Sequence, residues 1–261
     1  MLEALSALKG YAIEASDGRM GSVGDFLFDD RSWKVRWLVV DTGTWLTERK
    51  VLLHPSAVKR AEHQRKAFAV KLTKAQVEGS PSILQDQPVS AQMERHLYDY
   101  YGWDPLWSDG YPGANAIAAP FSAPPYFGFG SPREPADVAA DRPDGDPHLR
   151  SVAEVTGYHI HAADGEIGHL ENFLIHSASW GIAYMIVDTR NWWPGKHVLM
   201  SPHAVKRIDW SEHHIELNVT RDKVKASPPW DPAALMNQPA MQRLDAHYGW
   251  PALGEWGRHV P

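Results

Sequence analysis

The amino-acid sequence predicts an all-β protein made of two related domains, each a small barrel or sandwich with a short C-terminal helical tail. The first reason is an internal repeat, because residues 10–60 return at 157–207 with a constant offset of 147 and no gap. A fixed period is the mark of a repeated structural unit. The second reason is a series of short alternating apolar runs separated by Gly and Asp turns, which favours a barrel or sandwich over an α/β sheet.

The strands of the first copy follow from alternation and from turn residues. Residues 11–15 are predicted as a strand and residues 23–41 as a hairpin. The last part of that hairpin is hydrophobic on both sides, which indicates a strand covered on both faces. Further strands are predicted at 51–53, where Pro55 ends the ladder, and at 68–72. The second copy repeats this pattern.

Helices are predicted at the end of each copy. Thr73 is a suitable N-cap for a short helix at 74–78. Thr220 is the equivalent N-cap for a short helix in the second copy that ends at Lys225. Longer tail helices are predicted at 91–101 and at 240–248, and each ends in the same Tyr-Gly-Trp sequence. The tails therefore belong to the repeat, and their apolar faces are expected to pack on the strands.

A Pro-rich segment divides the chain into residues 1–103, a linker at 104–150, and residues 151–261. The linker holds nine of the 20 prolines and a charge of -4 out of the total of -6. Such a composition favours an extended or irregular tether, or a functional segment.

Composition excludes several classes of protein. The 261 residues include no cysteine, which excludes disulfides, thiolate catalysis and Cys-ligated metals and fits a reducing cytoplasm. A pI near 6.1 indicates no excess of positive charge that would bind the phosphates of a nucleic acid. We find neither a signal peptide nor an apolar run of the roughly 20 residues that a membrane-spanning helix needs. A cytoplasmic protein without nucleic-acid partners or an integral membrane segment is expected.

The recurring Asp-Thr pairs are the first candidate site residues. Asp41-Thr42 and Asp188-Thr189 close the most apolar strand of each copy. Such an acid could transfer protons if its pKa were raised, or it could accept backbone N–H bonds in the following loop. No second acid or histidine recurs at a catalytic spacing, so no catalytic residue is assigned.

Aromatic residues are the other candidate binding residues. They are Trp45, Trp192 and Trp193 in corresponding loops, and Tyr126, Phe127 and Phe129 in the linker. The loop tryptophans suit either a recognition surface or a lid over the end of a barrel. The linker rings suit either a partner-binding patch or packing on the protein itself.

Charged and metal-binding residue types give weaker signals. Lys59-Arg60 recurs as Lys206-Arg207, and both pairs are interpreted as solvated turns. The histidines of the second copy suggest a metal, but the first copy has other residues there. Because ligands should recur in a repeat built around a metal, no metal or cofactor is expected, and a metal site confined to the second copy is the alternative. The histidines concerned are His159, His161, His213 and His214.

Several of these pieces occur together in both copies. They are Asp-Gly-x-x-Gly at Asp17 and Asp164, the strand ending in Val-Asp-Thr, the tryptophan loop, V-L-L-x-P-x-A-V at 51–58, and T-x-x-x-V-x-x-x-P at Thr73 and Thr220. With them the chain resembles the PRC-barrel family, which is named after the cytoplasmic domain of the photosynthetic reaction-centre H subunit and includes a domain of the ribosome maturation factor RimM. The resemblance covers about 150 of the 261 residues and leaves out the linker and the tails.

The resemblance implies two compact β-barrels that dock onto other macromolecules. The leading hypothesis is a non-enzymatic protein-interaction or assembly module whose copies pack about a pseudo-twofold axis or form a homodimer. One alternative is an accessory, H-subunit-like component of a photosynthetic or electron-transfer complex. Another is binding or hydrolysis of a small ligand between the barrels by Asp41 and Asp188. RNA binding is least favoured because of the charge.

Overall fold

The structure is a computed structural model that describes residues 1–46, 49–80, 97–98, 100–103, 146, 148–189, 197–228, 230 and 238–251. It is mainly β, as expected, and its strands form two mixed sheets of seven strands each. Hydrogen bonds between the described strands do not close either sheet into a barrel. None of the described helices is long and apolar enough to cross a membrane.

The elements follow the repeat. The strands are β1 (Leu2–Ala4), β2 (Ala12–Ala15), β3 (Gly18–Asp29), β4 (Lys34–Asp41), β5 (Lys50–Leu53), β6 (Val58–Glu62), β7 (Ala67–Val70), β8 (Leu149–Ser151), β9 (His159–Ala162), β10 (Gly165–His176), β11 (Ile182–Asp188), β12 (His197–Met200), β13 (Val205–Asp209) and β14 (His214–Leu217). The helices are α1 (Leu5–Leu8), α2 (Lys74–Glu78), α3 (Val152–Val155), α4 (Arg221–Lys225) and α5 (Gln238–Tyr248).

The two sheets have the same topology. The first runs β5-β4-β3-β2-β7-β6 and the second β12-β11-β10-β9-β14-β13. Each is antiparallel except for one parallel pair, β2 with β7 and β9 with β14. The two edge strands β5 and β6 follow one another in the chain, separated by the 3-10 turn Pro55–Ala57.

The first strand of each half pairs with the sheet of the other half. β1 pairs with β10 in the second sheet, and β8 pairs with β3 in the first. The short helix after each exchanged strand is also held by the other half, because Ser6 N donates to Asn172 Oδ1 at 3.2 Å and Ala153 N donates to Asp25 Oδ1 at 3.1 Å. These four residues occupy equivalent positions in the repeat, so the exchange is reciprocal.

The hairpin turns continue this symmetry across the interface. Val35 N donates to Trp180 O at 2.9 Å, and Ile182 N donates to Trp33 O at 2.7 Å. The two contacts are equivalent under the 147-residue offset and therefore define a pseudo-twofold axis. Most buried apolar residues of both halves form one cluster, in which the rings of Phe28 and Phe173 lie 5.4 Å apart, and a second, smaller cluster consists of Trp37, Leu52, Leu97 and Tyr98. The two halves thus share one core.

The central strands are covered on both faces, as their sequences predict. Every residue of β11 is buried, because α5 packs on the outer face of the sheet. Tyr184 on β11 donates to Asp245 Oδ1 on α5 at 2.8 Å. Burial is the main reason that the pKa values of both side chains are raised. In the first half, the rings of Trp37 and Tyr98 take these two positions, 5.3 Å apart.

In each Tyr-Gly-Trp ending, the glycine follows the tail helix and the rings of the tyrosine and the tryptophan stack. Gly249 has a φ of 79°, which only glycine adopts readily, and it turns Trp250 back onto Tyr248 with 4.2 Å between the rings and an angle of 12°. Tyr101 and Trp103 stack in the same way at 4.1 Å and 14°. Helix α5 begins two residues before the predicted 240. In the first tail, most of the predicted helix lies outside the described residues.

The exchanged strands lead to a prediction for unfolding. Because the halves share strands and a core, we expect the chain to unfold in one cooperative thermal transition. Asp25→Ala removes the acceptor of the Ala153 amide and should lower the free energy of unfolding by about 1 kcal/mol while keeping one transition. Asn172→Ala, the equivalent change, is the matched control. Calorimetry that resolves two transitions for the unaltered chain would contradict this interpretation.

Candidate functional site

The two predicted Asp-Thr pairs end the central strands, but their surroundings differ. Asp188 and Thr189 are completely buried after β11. After β4, Thr42 is buried whereas Asp41 is exposed. Because the same residue types occupy equivalent positions, the difference comes from their neighbours.

A glycine explains the position of the first carboxylate. A Cβ atom at Gly24 would lie 2.3 Å from Asp41 Oδ2, so this carboxylate lies directly against strand β3. The second copy has Glu171 at the equivalent position, which leaves no room for the same arrangement. Asp188 lies instead beside His169, with 3.6 Å between Oδ2 and the imidazole Nε2.

The second copy thereby gains a row of polar side chains across three strands. His169 pairs with Asp188, and Asp188 pairs with His197, so the three residues lie on the same face. His197 Nε2 lies 2.9 Å from Glu171 Oε2. The carboxylate of Asp188 is 1% exposed and the imidazole of His169 is 34% exposed, so the row runs from the interior to the surface.

This polar row can bind a polar group or exchange a proton, because imidazoles and carboxylates do both. The first copy has Ser22 and Lys50 in place of the two histidines. The row is therefore specific to the second copy. Sequence reasoning missed His169, Glu171 and His197, although their alternation on β10 and their position at the start of β12 are visible signals.

Three other histidines of the second copy lie on the strands β9 and β14. The rings of His161 and His214 are 5.3 Å apart, and His159 Nδ1 lies 2.9 Å from Glu166 Oε1. Within the described ranges, no three His, Asp or Glu side chains are grouped so that they could hold a metal ion.

Of the six predicted aromatic residues, the structure describes the position of one. Trp45 lies in the 3-10 turn Gly43–Leu46, directly after the end of β4. The remaining five lie outside the described residues: Trp192, Trp193, Tyr126, Phe127 and Phe129.

The Asp-Gly-x-x-Gly motif serves the fold in both copies. Asp17 accepts a hydrogen bond from Lys74 N at 2.9 Å, and Asp164 accepts one from Arg221 N at 2.7 Å, so each carboxylate holds the start of a short helix. The last glycine of the motif lets strand β10 approach the end of β11, because a Cβ atom at Gly168 would lie 1.9 Å from the carbonyl oxygen of Asp188.

A buried histidine beneath the first tail was not predicted as a site. His54 is 1% exposed, and its ring lies 5.7 Å from Trp37 and 5.6 Å from Trp103. Its Nδ1 accepts a hydrogen bond from Ser56 N at 3.2 Å, as the Ser201 side chain accepts one from the equivalent amide in the second copy. Burial, aided by the nearby Arg36 charge, lowers the pKa of His54 to about 4.

A cleft of about 730 Å³ lies between the halves. Its lining comes from β6 and its neighbours in the first half and from the end of β10 and the following turn in the second. Neither Asp41 nor Asp188 is among the described residues that line it. The cleft and the polar row are therefore separate sites.

No protein-family model matches this chain, and no curated protein matches it.

Proposed function

We propose that the chain is a non-enzymatic protein-interaction module of the PRC-barrel type. In this proposal each seven-stranded sheet corresponds to one barrel, and each tail is the helical cover of its sheet. The supporting observation is that the recurring polar residues serve the fold in both halves. Asp17 and Asp164 hold helix starts, and Thr73 and Thr220 are N-caps whose hydroxyls accept from backbone amides.

Catalysis shared by the two copies would need a recurring pair of groups with complementary roles. The two histidines that pair with Asp188 have no counterpart beside Asp41, where Ser22 and Lys50 take their positions. What the copies share is a sheet whose central strand, β4 or β11, ends at the same position of the repeat. Trp45 and Trp192 follow those strand ends at the same spacing in the sequence, and tryptophan is a residue type favoured in interface hot spots.

The proposal is tested by affinity purification of the tagged full chain from its native cells, followed by mass spectrometry. We expect a stable protein partner whose recovery falls at least about tenfold with Trp45→Ala or Trp192→Ala, since hot-spot truncations cost that much or more. Trp193→Leu introduces the residue of the first copy and is the matched control.

Unchanged thermal unfolding of each variant shows that the loss is not a loss of folding. The proposal is wrong if the unaltered chain recovers no partner above background, or if both alanine variants recover it as well as the unaltered chain does.

A further inference from the structure

The cleft between the halves is rimmed by positive charge. Four cationic side chains line it, namely Lys34, Lys59, Arg60 and Lys71, against one carboxylate, Glu3. The whole chain has a net charge of -6, so this concentration of cations runs against the overall balance.

A β-bulge places two of these cations together. Val58 pairs with Val70 and Arg60 pairs with Ala69, so Lys59 is the extra residue on strand β6. Because a bulge redirects side chains, Lys59 and Arg60 are both exposed although they are consecutive on a strand. The Lys59-Arg60 pair therefore lies on the cleft wall, on a strand and not in a solvated turn.

The equivalent pair in the second half is neutralised. Arg207 pairs across the strands with Glu216, at 2.8 Å between Nη2 and Oε1, and Lys206 Nζ lies 4.0 Å from the same carboxylate. Ala69 stands at the position of Glu216 in the first half. Arg60 retains an ion pair with Glu62, which does not line the cleft. Among the described residues, no ion pair joins a carboxylate to Lys34, Lys59 or Lys71.

The equivalent surface in the second half carries different charged residues. The guanidinium of Arg150 lies 3.9 Å from the ring centre of Trp210, and its Nε lies 3.2 Å from Asp30 Oδ2. At the corresponding positions of the cleft stand Glu3 and His63, which lie 3.7 Å apart. At these equivalent positions the second half thus places a cation against a tryptophan ring, and the cleft side places a carboxylate beside an imidazole.

The cleft also has an apolar floor. Ile175, Ala178 and Trp180 of the second half line it together with Phe68 of the first, and the rings of Trp180 and Phe68 are 5.9 Å apart. Lysines beside a low-dielectric wall attract anions more strongly than lysines on an open surface. The volume is in the range of small-molecule and cofactor sites.

We propose that this cleft binds a small organic anion with at least two negative charges and a planar apolar part, the class to which nucleoside diphosphates belong. Lys59, Arg60 and Lys71 hold the anionic end, and the floor around Trp180 receives the planar part. This ligand site is additional to the protein-interaction function and does not depend on it.

The test is titration calorimetry of the full chain with ADP and with pyrophosphate at about 20 mM salt, where screening is weak. We expect saturable binding of one ADP per chain, tighter than pyrophosphate because only ADP reaches the apolar floor. Lys59→Ala and Lys71→Asn should each weaken ADP binding about tenfold, since each removes one charged contact. Asn is the residue of the second half at the latter position.

Lys206→Ala is the matched control, because it makes the same change at the equivalent position of the second half, and Lys206 does not line the cleft. It should leave ADP binding unchanged. The proposal is overturned if ADP does not bind to the unaltered chain, if pyrophosphate binds as tightly as ADP, or if Lys206→Ala weakens binding as much as Lys59→Ala.

Discussion

Gly168→Ala is expected to destabilise the protein by more than about 4 kcal/mol, enough to unfold much of it at 37 °C. The added Cβ atom would lie 1.9 Å from the carbonyl oxygen of Asp188 and 3.0 Å from the Cα atom of Thr189. Both are backbone atoms of a completely buried strand end, so neither can move away without disturbing the ladder between β10 and β11. The measurement is the free energy of unfolding by urea denaturation, monitored by circular dichroism.

Gly165→Ala separates this collision from the effect of backbone conformation. Gly165 lies on the same strand with a φ of 141°, against 140° for Gly168, but its Cβ would meet only the flexible end of the Arg221 side chain at 3.3 Å. The control should therefore show the conformational cost alone, on the order of 1 kcal/mol. Equal losses for the two variants would show that the approach of β10 to the end of β11 is not what requires glycine.

We expect His54 to lower the free energy of unfolding by about 3 kcal/mol as the pH falls from 7 to 4. Its pKa in the folded chain is about 4, against an ordinary value of 6.5. As the pH falls below about 6.5, the unfolded chain takes up a proton that the folded chain excludes. The contribution to stability is complete above that pH and is lost by about pH 4, because a shift of one pKa unit corresponds to about 1.4 kcal/mol.

Urea denaturation at a series of pH values between 7 and 4 measures this loss. His54→Gln carries no titrating group, so its decline in the free energy of unfolding over that range should be smaller by about 3 kcal/mol. His159→Gln makes the same change at an exposed position and is the matched control. If the His54→Gln and unaltered chains decline in parallel, His54 is not held neutral by its surroundings.

Local sequence patterns predicted much of the secondary structure. The helix at 74–78 has the predicted bounds, because a Thr73 N-cap and its capping partner Gln76 are sufficient to start it. The two-sided burial of β11 followed from its uninterrupted apolar run. Both features depend on residues that are close in the chain.

Features that depend on distant residues could not be predicted. The exchanged strands β1 and β8 have only three residues each, too few for an alternating pattern, and their partners lie in the other half. The different burial of Asp41 and Asp188 depends on whether Gly24 or Glu171 occupies the adjacent strand. The cleft depends on a bulge and on an alanine opposite it, neither of which appears in the sequence of β6 alone.

The exchange of strands also constrains the order of events during synthesis. Ser6 leaves the ribosome first but hydrogen-bonds to Asn172, 166 residues later. While the first sheet forms, β1 therefore has none of its native partners, and the site for β8 on β3 is an unpaired edge. Contacts this distant are slow to form. Strand β8 can pair with β3 as soon as it is synthesised, whereas β1 must wait until β10 has followed.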